Sequence, residues 1–219
     1  MATYPFGRGG FEVSKLEEAT AKRYLPAAKL SKLKSSTASN PQCEYARKLF
    51  LFSYYCYGIS FIDMAMLTAA HIKQMEDGDY IVYKRQKIKR QKGVKPISIK
   101  ITPAIRQLIG SLQAASPTVD DFLLPIVTRS GYTGERLYMH IRTRYSKYQK
   151  YLRLLAEELG IDFHLTSYVS RHTAAMTLQR NNIPREVISQ MLGHADLETT
   201  NIYLDSFDNR VINEAAKVL

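Results

Sequence analysis

The sequence has only two cysteines, Cys43 and Cys56, too few for a disulfide framework and without the paired CxxC spacing of a structural zinc site. Both are read as buried helix residues, and the shortage fits an intracellular, cytoplasmic location. The N-terminus lacks an apolar signal core. No apolar run approaches the roughly 18 residues that a membrane-spanning helix needs. Acids are also scarce: 20 Asp and Glu stand against 31 Lys and Arg, for a net charge of +11. That excess favours a polyanionic partner, nucleic acid above all, through counterion release and long-range attraction.

The 219 residues, 45% of them hydrophobic, are enough for one sizeable core. Residues 1–21 carry Pro5, Gly7, Gly9 and Gly10 with little apolar periodicity and read as a linker or arm, so the compact domain is placed at 22–219. Asn40-Pro41 is a helix start, with Asn as N-cap and Pro at the first helical position, and Gly58 marks the end of that helix. Ser60-Phe61-Ile62-Asp63 matches a capping box, which predicts a second helix from Phe61. Asp79–Arg85 and Pro96–Ile101 are β-prone and pair as a hairpin. Thr102-Pro103 opens another helix, with Ile105, Leu108, Ile109 and Leu112 as its stripe.

From about Gly134 to Leu159, Tyr138, Ile141, Tyr145, Tyr148, Leu152 and Leu155 recur at three- and four-residue steps, which predicts a long buried helix. Thr166 caps the next helix, Pro184 begins a shorter one, and Gly193 supplies a left-handed stop. Val211, Ile212, Ala215 and Val218 form the stripe of a closing amphipathic helix. The sum is an α+β fold, mostly α-helical with a small antiparallel hairpin.

Two stretches near the C-terminus carry chemistry. In the first, Leu192-Gly193-His194 is followed nine residues later by Tyr203, with Thr200 three before it. In the second, Leu165-Thr166-Ser167-Tyr168-Val169-Ser170-Arg171-His172 precedes Tyr203 by some thirty positions. The first resembles the box II signature of tyrosine recombinases, and the second resembles their His-x-x-Arg-His box, with Arg171 on the second active-site arginine. Gly58-Ile59-Ser60-Phe61-Ile62-Asp63-Met64-Ala65 resembles the first box in the variant found in integrases of conjugative transposons. Ser60 stands where most of the family has its first catalytic arginine. Tyr57 stands just before the glycine, where some of this group have an arginine, and Tyr168 stands where most relatives have a histidine. Arg85 and Arg47 are candidates to compensate.

The resemblance implies site-specific DNA recombination through a 3′-phosphotyrosyl intermediate, with Tyr203 as nucleophile, Arg171 on the scissile phosphate and His194 on a non-bridging oxygen. Arginine suits the phosphate because it is permanently charged and binds bidentately. The leaving 5′ oxygen needs a proton, and a lysine whose pKa is depressed by cationic neighbours can supply it. Lys87 resembles the family's hairpin lysine, and Lys89 is the alternative. Tyr168 donates a hydrogen bond but is a poor base. The chemistry requires neither metal nor cofactor. The resemblance also implies a homotetramer holding two duplexes, with the Val211–Leu219 segment docking on a neighbour, and it leaves the chain without the core-binding domain that precedes this domain in full-length relatives.

Each residue also has a plainer role open to it. Tyr203 is one of 15 tyrosines, His194 can serve as a cation at a helix C-terminus, Ser60 is adequately an N-cap, and Arg171 can be a structural ion-pair partner. Lys84, Arg85, Lys87, Lys89, Arg90, Lys92, Lys95 and Lys100 fill residues 84–100 without one acid. They form either a solvated face or a track along the DNA backbone, and the flanking strands favour the track. Two other functions stay open at this point: type IB topoisomerase-like relaxation, and DNA binding without catalysis.

Overall fold

Asn40 accepts a hydrogen bond from the Gln42 amide at 2.8 Å, with Pro41 at the first helical position, and so opens the helix around which the others pack. The computed structural model describes residues 24–88 and 95–193. Its helices are α1 (Ala27–Ser35), α2 (Pro41–Tyr55), α3 (Phe61–Ala65), α4 (Pro103–Ala115), α5 (Gly134–Glu158), α6 (Ser167–Arg180) and α7 (Arg185–Leu192). A three-stranded antiparallel sheet consists of β1 (Ile72–Met75), β2 (Gly78–Tyr83) and β3 (Ile97–Lys100), with β2 in the middle. The predicted class holds: the fold is mostly helical with one small antiparallel sheet.

Nine of the fifteen residues of α2 are buried, including the unbroken run Leu49-Phe50-Leu51-Phe52. Four consecutive buried positions cover every side of a helix, and α2 accordingly packs against α4, α5 and α6 at once. Each of its large apolar side chains stabilises the fold by roughly 1.5–3 kcal/mol. Both cysteines are buried here as expected, and burial pushes the Cys56 thiol pKa up, which leaves it unreactive. Arg47 is buried as well, with its charge answered by Glu44 at 2.7 Å and by the Leu33 carbonyl at 2.8 Å.

The predicted hairpin is present: Ile81 pairs with Ile99 and Tyr83 with Ile97, and all four are buried. The strands are shorter than expected, so Lys84 and Arg85 lie beyond β2. The sheet also gains β1, which alternation could not reveal because Lys73, Gln74 and Met75 are exposed on an edge. Its trace in the sequence was Glu76-Asp77-Gly78, in which Glu76 and Asp77 form the turn and Gly78 opens β2 opposite Met75. Helix α1 was not anticipated either; only Leu30 and Leu33 are buried on it.

Three expectations need correction. The long helix α5 is not buried throughout: Ile141, Tyr148, Leu152 and Leu155 are, whereas Tyr138 is 58% exposed and Tyr145 is 36% exposed. Thr166 precedes α6 but makes no side-chain cap; the Ser167 amide donates instead to Gln149 of α5 at 3.1 Å. Helix α2 ends at Tyr55 rather than at Gly58, and the chain then turns through left-handed Tyr57 and Gly58, with the Gly58 amide returning to the Ser53 carbonyl at 2.7 Å. The expected closing helix at Val211–Val218 and the arm at 1–21 lie outside the described residues.

Gly58 is fixed by two constraints. Its φ is +72°, and a Cβ there would lie 2.4 Å from the Arg171 Cα. Gly131 shares the left-handed backbone, at φ +73°, with nothing within 4 Å. Gly131→Ala should therefore cost about 1 kcal/mol, and Gly58→Ala on the order of 3 kcal/mol or more because a close contact is added to the strain. Urea unfolding midpoints of the two variants check this difference.

A pH effect follows from the loop before α5. His140 Nε2 accepts a hydrogen bond from the Thr128 amide at 3.2 Å, and burial, followed by the charges of Arg144, Arg129 and Lys147, holds its pKa below the ordinary value. As pH falls through about 6.5, the unfolded chain takes up this proton first, so stability is lost from there downward until the lower folded pKa is passed. The drop in Tm between about pH 7.5 and 5.5 should therefore be smaller in His140→Asn.

Candidate active site

Helix α6 sets its amino end at the mouth of a cleft of about 400 Å³. Ser167, Tyr168 and Arg171 lie within its first turn and a half and face the cleft, joined by Gly58, Ser60, Phe61 and Ile62 from the α2–α3 turn and the start of α3, by Arg85 from the turn after β2, and by Tyr138, Ile141, Arg142 and Tyr145 from α5. The positive end of the α6 dipole and three arginines thus converge on one opening, an arrangement that favours an anion.

Arg171 is 5% exposed. Its Nη1 donates to the Gly58 carbonyl at 3.1 Å and its Nη2 to the Leu192 carbonyl at 2.5 Å. Arg85 reaches the next carbonyl, that of Gly193, at 3.2 Å. Two cations therefore grip the carboxyl end of α7, where the helix dipole is negative. Gly193 is left-handed as predicted, at φ +65°, and a Cβ on it would strike Ile97 of β3 at 2.3 Å. The Leu-Gly that opens the C-terminal motif is thus wedged against the sheet.

Ser60 is the N-cap of α3. Its hydroxyl accepts from the Asp63 amide at 3.2 Å and donates to the Asp63 carboxylate at 2.6 Å. The other carboxylate oxygen of Asp63 accepts from the Gln86 amide at 2.7 Å. Asp63 is buried, so this side chain ties the turn after β2, and with it Lys87, to the first motif. Beneath them lies Tyr83, whose phenol pKa burial pushes up, with Asp63 adding to the shift and Arg171 opposing it.

Of the predicted site residues, Arg171, Ser60 and Tyr168 line the one cleft together with Arg85. Lys84, Lys87 and Lys95 are exposed around the hairpin. Arg47 is elsewhere, held by Glu44 in the core, and does not compensate for a missing arginine. Tyr203, His194, Lys89, Arg90 and Lys92 lie outside the described residues. Sequence reasoning missed Asp63 as a tie to the hairpin, although its place three residues into the capping box pointed to it. It also missed Arg142, and it assigned Tyr138 and Tyr145 to the core because helical periodicity does not separate a core face from a cleft wall. Among the described residues no three His, Cys, Asp or Glu side chains cluster as a metal site would require.

Comparison with known proteins bears on this site. The model of the phage integrase family matches residues 23–210. Tyrosine recombinase XerD of Brucella abortus biovar 1 (strain 9-941) is 30% identical over 119 residues, 53% of this chain and 35% of the relative. Among solved structures, the XerA recombinase superposes with a TM-score of 0.61 at 22% identity, covering 89% of this chain and 64% of that one. The Tn1549 transposon integrase in complex with transposon right end DNA gives 0.60 at 12%, covering 94% and 70%. At such identities the structural likeness is one of fold, and the chain spans about a third of the length of the Brucella relative.

Removing the Asp63 carboxylate tests its tie to the hairpin. Asp63→Ala should lose about 2–3 kcal/mol, the worth of charge-assisted hydrogen bonds, and should expose the Gln86 amide to solvent exchange. Asp63→Asn, which keeps one acceptor oxygen, should fall between. Hydrogen exchange at Gln86 followed by NMR reads both; unchanged protection in Asp63→Ala would remove Asp63 from this role.

Proposed function

Because this chain belongs to the phage integrase family, we propose that it is the strand-transfer domain of a site-specific DNA recombinase. The Tyr203 phenol oxygen attacks a backbone phosphorus, a 3′-phosphotyrosyl bond forms, the bond to the 5′ oxygen breaks, and that oxygen leaves as a hydroxyl. A 5′ hydroxyl from another strand reverses the step. The phosphodiester energy is kept in the tyrosyl bond, so no nucleotide cofactor is consumed.

The observation that carries this reading is the meeting of the first and second motifs in one cationic cleft. Ser60, Arg85, Tyr168 and Arg171 share it, and Arg171 and Arg85 hold the carbonyls of Leu192 and Gly193, which open the C-terminal motif. Arg171 neutralises the phosphate. Arg85 takes the part of the first arginine that Ser60 does not supply, since it lines the cleft from just beyond β2 and is anchored on the Gly193 carbonyl beside Arg171. Ser60 serves as N-cap and holds Asp63. Lys87, exposed on the turn that Asp63 anchors, protonates the leaving oxygen, with Lys89 as its alternative, and His194 bonds a non-bridging oxygen. Tyr168 contributes a hydrogen bond to the phosphate from the position of the family histidine.

Lys84, Lys89, Arg90, Lys92 and Lys95 contact backbone phosphates of double-stranded DNA without reading sequence. Residues 1–21 form an arm, residues 22–219 the catalytic domain, and a separate N-terminal domain clamps the opposite face of the duplex. Four protomers hold two duplexes. Such an enzyme works where the chromosome is, in the cytoplasm of a prokaryote on the nucleoid. The transposon integrase bound to DNA supports both the partner and a role in a mobile element.

A nicked suicide duplex carrying the element's recombination site tests this. Wild type should form an SDS-resistant protein–DNA adduct and Tyr203→Phe none. Arg171→Lys, which keeps the charge but loses the planar fork, and Arg85→Ala should each slow adduct formation about 10²–10³-fold. Absence of an adduct with wild type supplied with an intact N-terminal clamp leaves a DNA-binding protein without catalysis. Plasmid relaxation without recombinant products indicates a topoisomerase.

A further inference from the structure

Among the described residues six large apolar side chains are exposed, and three of them, Tyr138, Tyr145 and Tyr168, line the arginine cleft. Tyr138 and Tyr145 lie seven residues apart on α5, two helical turns on one face, about 10 Å along the axis. Tyr168 stands across from them on the first turn of α6. A surface that leaves three rings in water beside cations combines the two parts of a single-strand binding site: ring faces for bases and guanidinium groups for phosphates.

Two of the rings, those of Tyr145 and Tyr168, are also held in place. The Tyr145 hydroxyl is 3.1 Å from the Ser167 hydroxyl and accepts from Gln149 Nε2 at 3.1 Å, while its ring leans on Phe61 at 5.3 Å. The Tyr168 ring packs edge-on against His172 at 5.1 Å. Rings fixed before binding lose little entropy when a ligand stacks on them. Paired and stacked bases offer only their edges in the grooves, so ring faces can meet a base only after it has left the stack. The cleft, at about 400 Å³, lies within the range of pockets that enclose small ligands.

We propose that this cleft receives an unstacked nucleotide of the DNA substrate, its base against the tyrosine rings and its flanking phosphates on Arg142 and Arg85. The favoured substrate class is a duplex with an unpaired or mismatched base at the bound position, because extruding such a base costs least. The proposal rests on the strand-transfer reading for placing that base beside the cleaved phosphate. The binding preference itself can be measured without cleavage.

The full chain carrying Tyr203→Phe is titrated, by fluorescence anisotropy, into a fully paired duplex of about 30 base pairs and into the same duplex with one unpaired adenine. The bulged duplex should bind at least about fivefold tighter, the lower bound for one stacked base. Tyr138→Ala, a change at a side chain 58% exposed, should bring the two affinities together while leaving the paired duplex within about twofold. Tyr138→Phe, which keeps the ring, should retain the preference, and Tyr145→Phe should retain most of it. Equal affinities in the parent, or a preference that survives both Tyr138→Ala and Tyr145→Ala, would overturn the proposal. The adduct assay is read separately: a bulge preference without adduct sinks the strand-transfer reading alone, and an adduct without bulge preference sinks this site alone.

Discussion

The buried guanidinium of Arg171 is the tie on which this structure depends. One nitrogen holds the carbonyl of Gly58, more than a hundred residues earlier in the chain, and another holds the carbonyl of Leu192, at the end of α7. A neutral side chain would leave these carbonyls at the dry boundary between α6, α7 and the α2–α3 turn without donors, which is costly. A lysine has no planar fork to reach both. The same side chain also lines the cleft. The charge that organises the site is held against the backbone carbonyls around it.

Around that tie the polar groups form a short series of contacts. Ser53 and Ser170 share a buried hydrogen bond at 2.7 Å, and Ser53 donates to the Ile59 carbonyl at 2.8 Å. Ser60 and Asp63 continue the series to Gln86 on the sheet side. Each member is satisfied by its neighbour, which is the condition under which a buried polar network orders a site. Ser60 caps α3, and Arg85 lines the same cleft with its guanidinium donating to the Gly193 carbonyl.

Much of the fold could be read from local chemistry. The Asn40-Pro41 start, the Ser60 cap, the Thr102 cap and the Gly193 stop all appear where short-range rules put them, because each depends on one side chain and a few backbone atoms. The β-prone run before Arg85 placed β2, and the isoleucine alternation placed β3. Elements held by long-range packing were harder to see: α1 buries two leucines, β1 is an exposed edge, and neither shows a period. In the site, the motifs identified Arg171, Ser60 and Tyr168. Arg85 was one of two guesses, and only geometry separated it from Arg47, which pairs with Glu44. Tyr138 and Tyr145 were misassigned for a physical reason, since a cleft wall and a core face share the same helical spacing.

The bare α-carbon of Gly58 against the backbone of Arg171 has an evolutionary corollary. Position 58 has no room for a methyl group while α6 passes where it does, and α6 cannot retreat without pulling its guanidinium away from two carbonyls. Substitution at either place is thus barred unless the other moves first. In a lineage that kept this packing, the pair would be inherited together, and a descendant that lost the glycine would be expected to have rebuilt the whole junction between its first and last motifs.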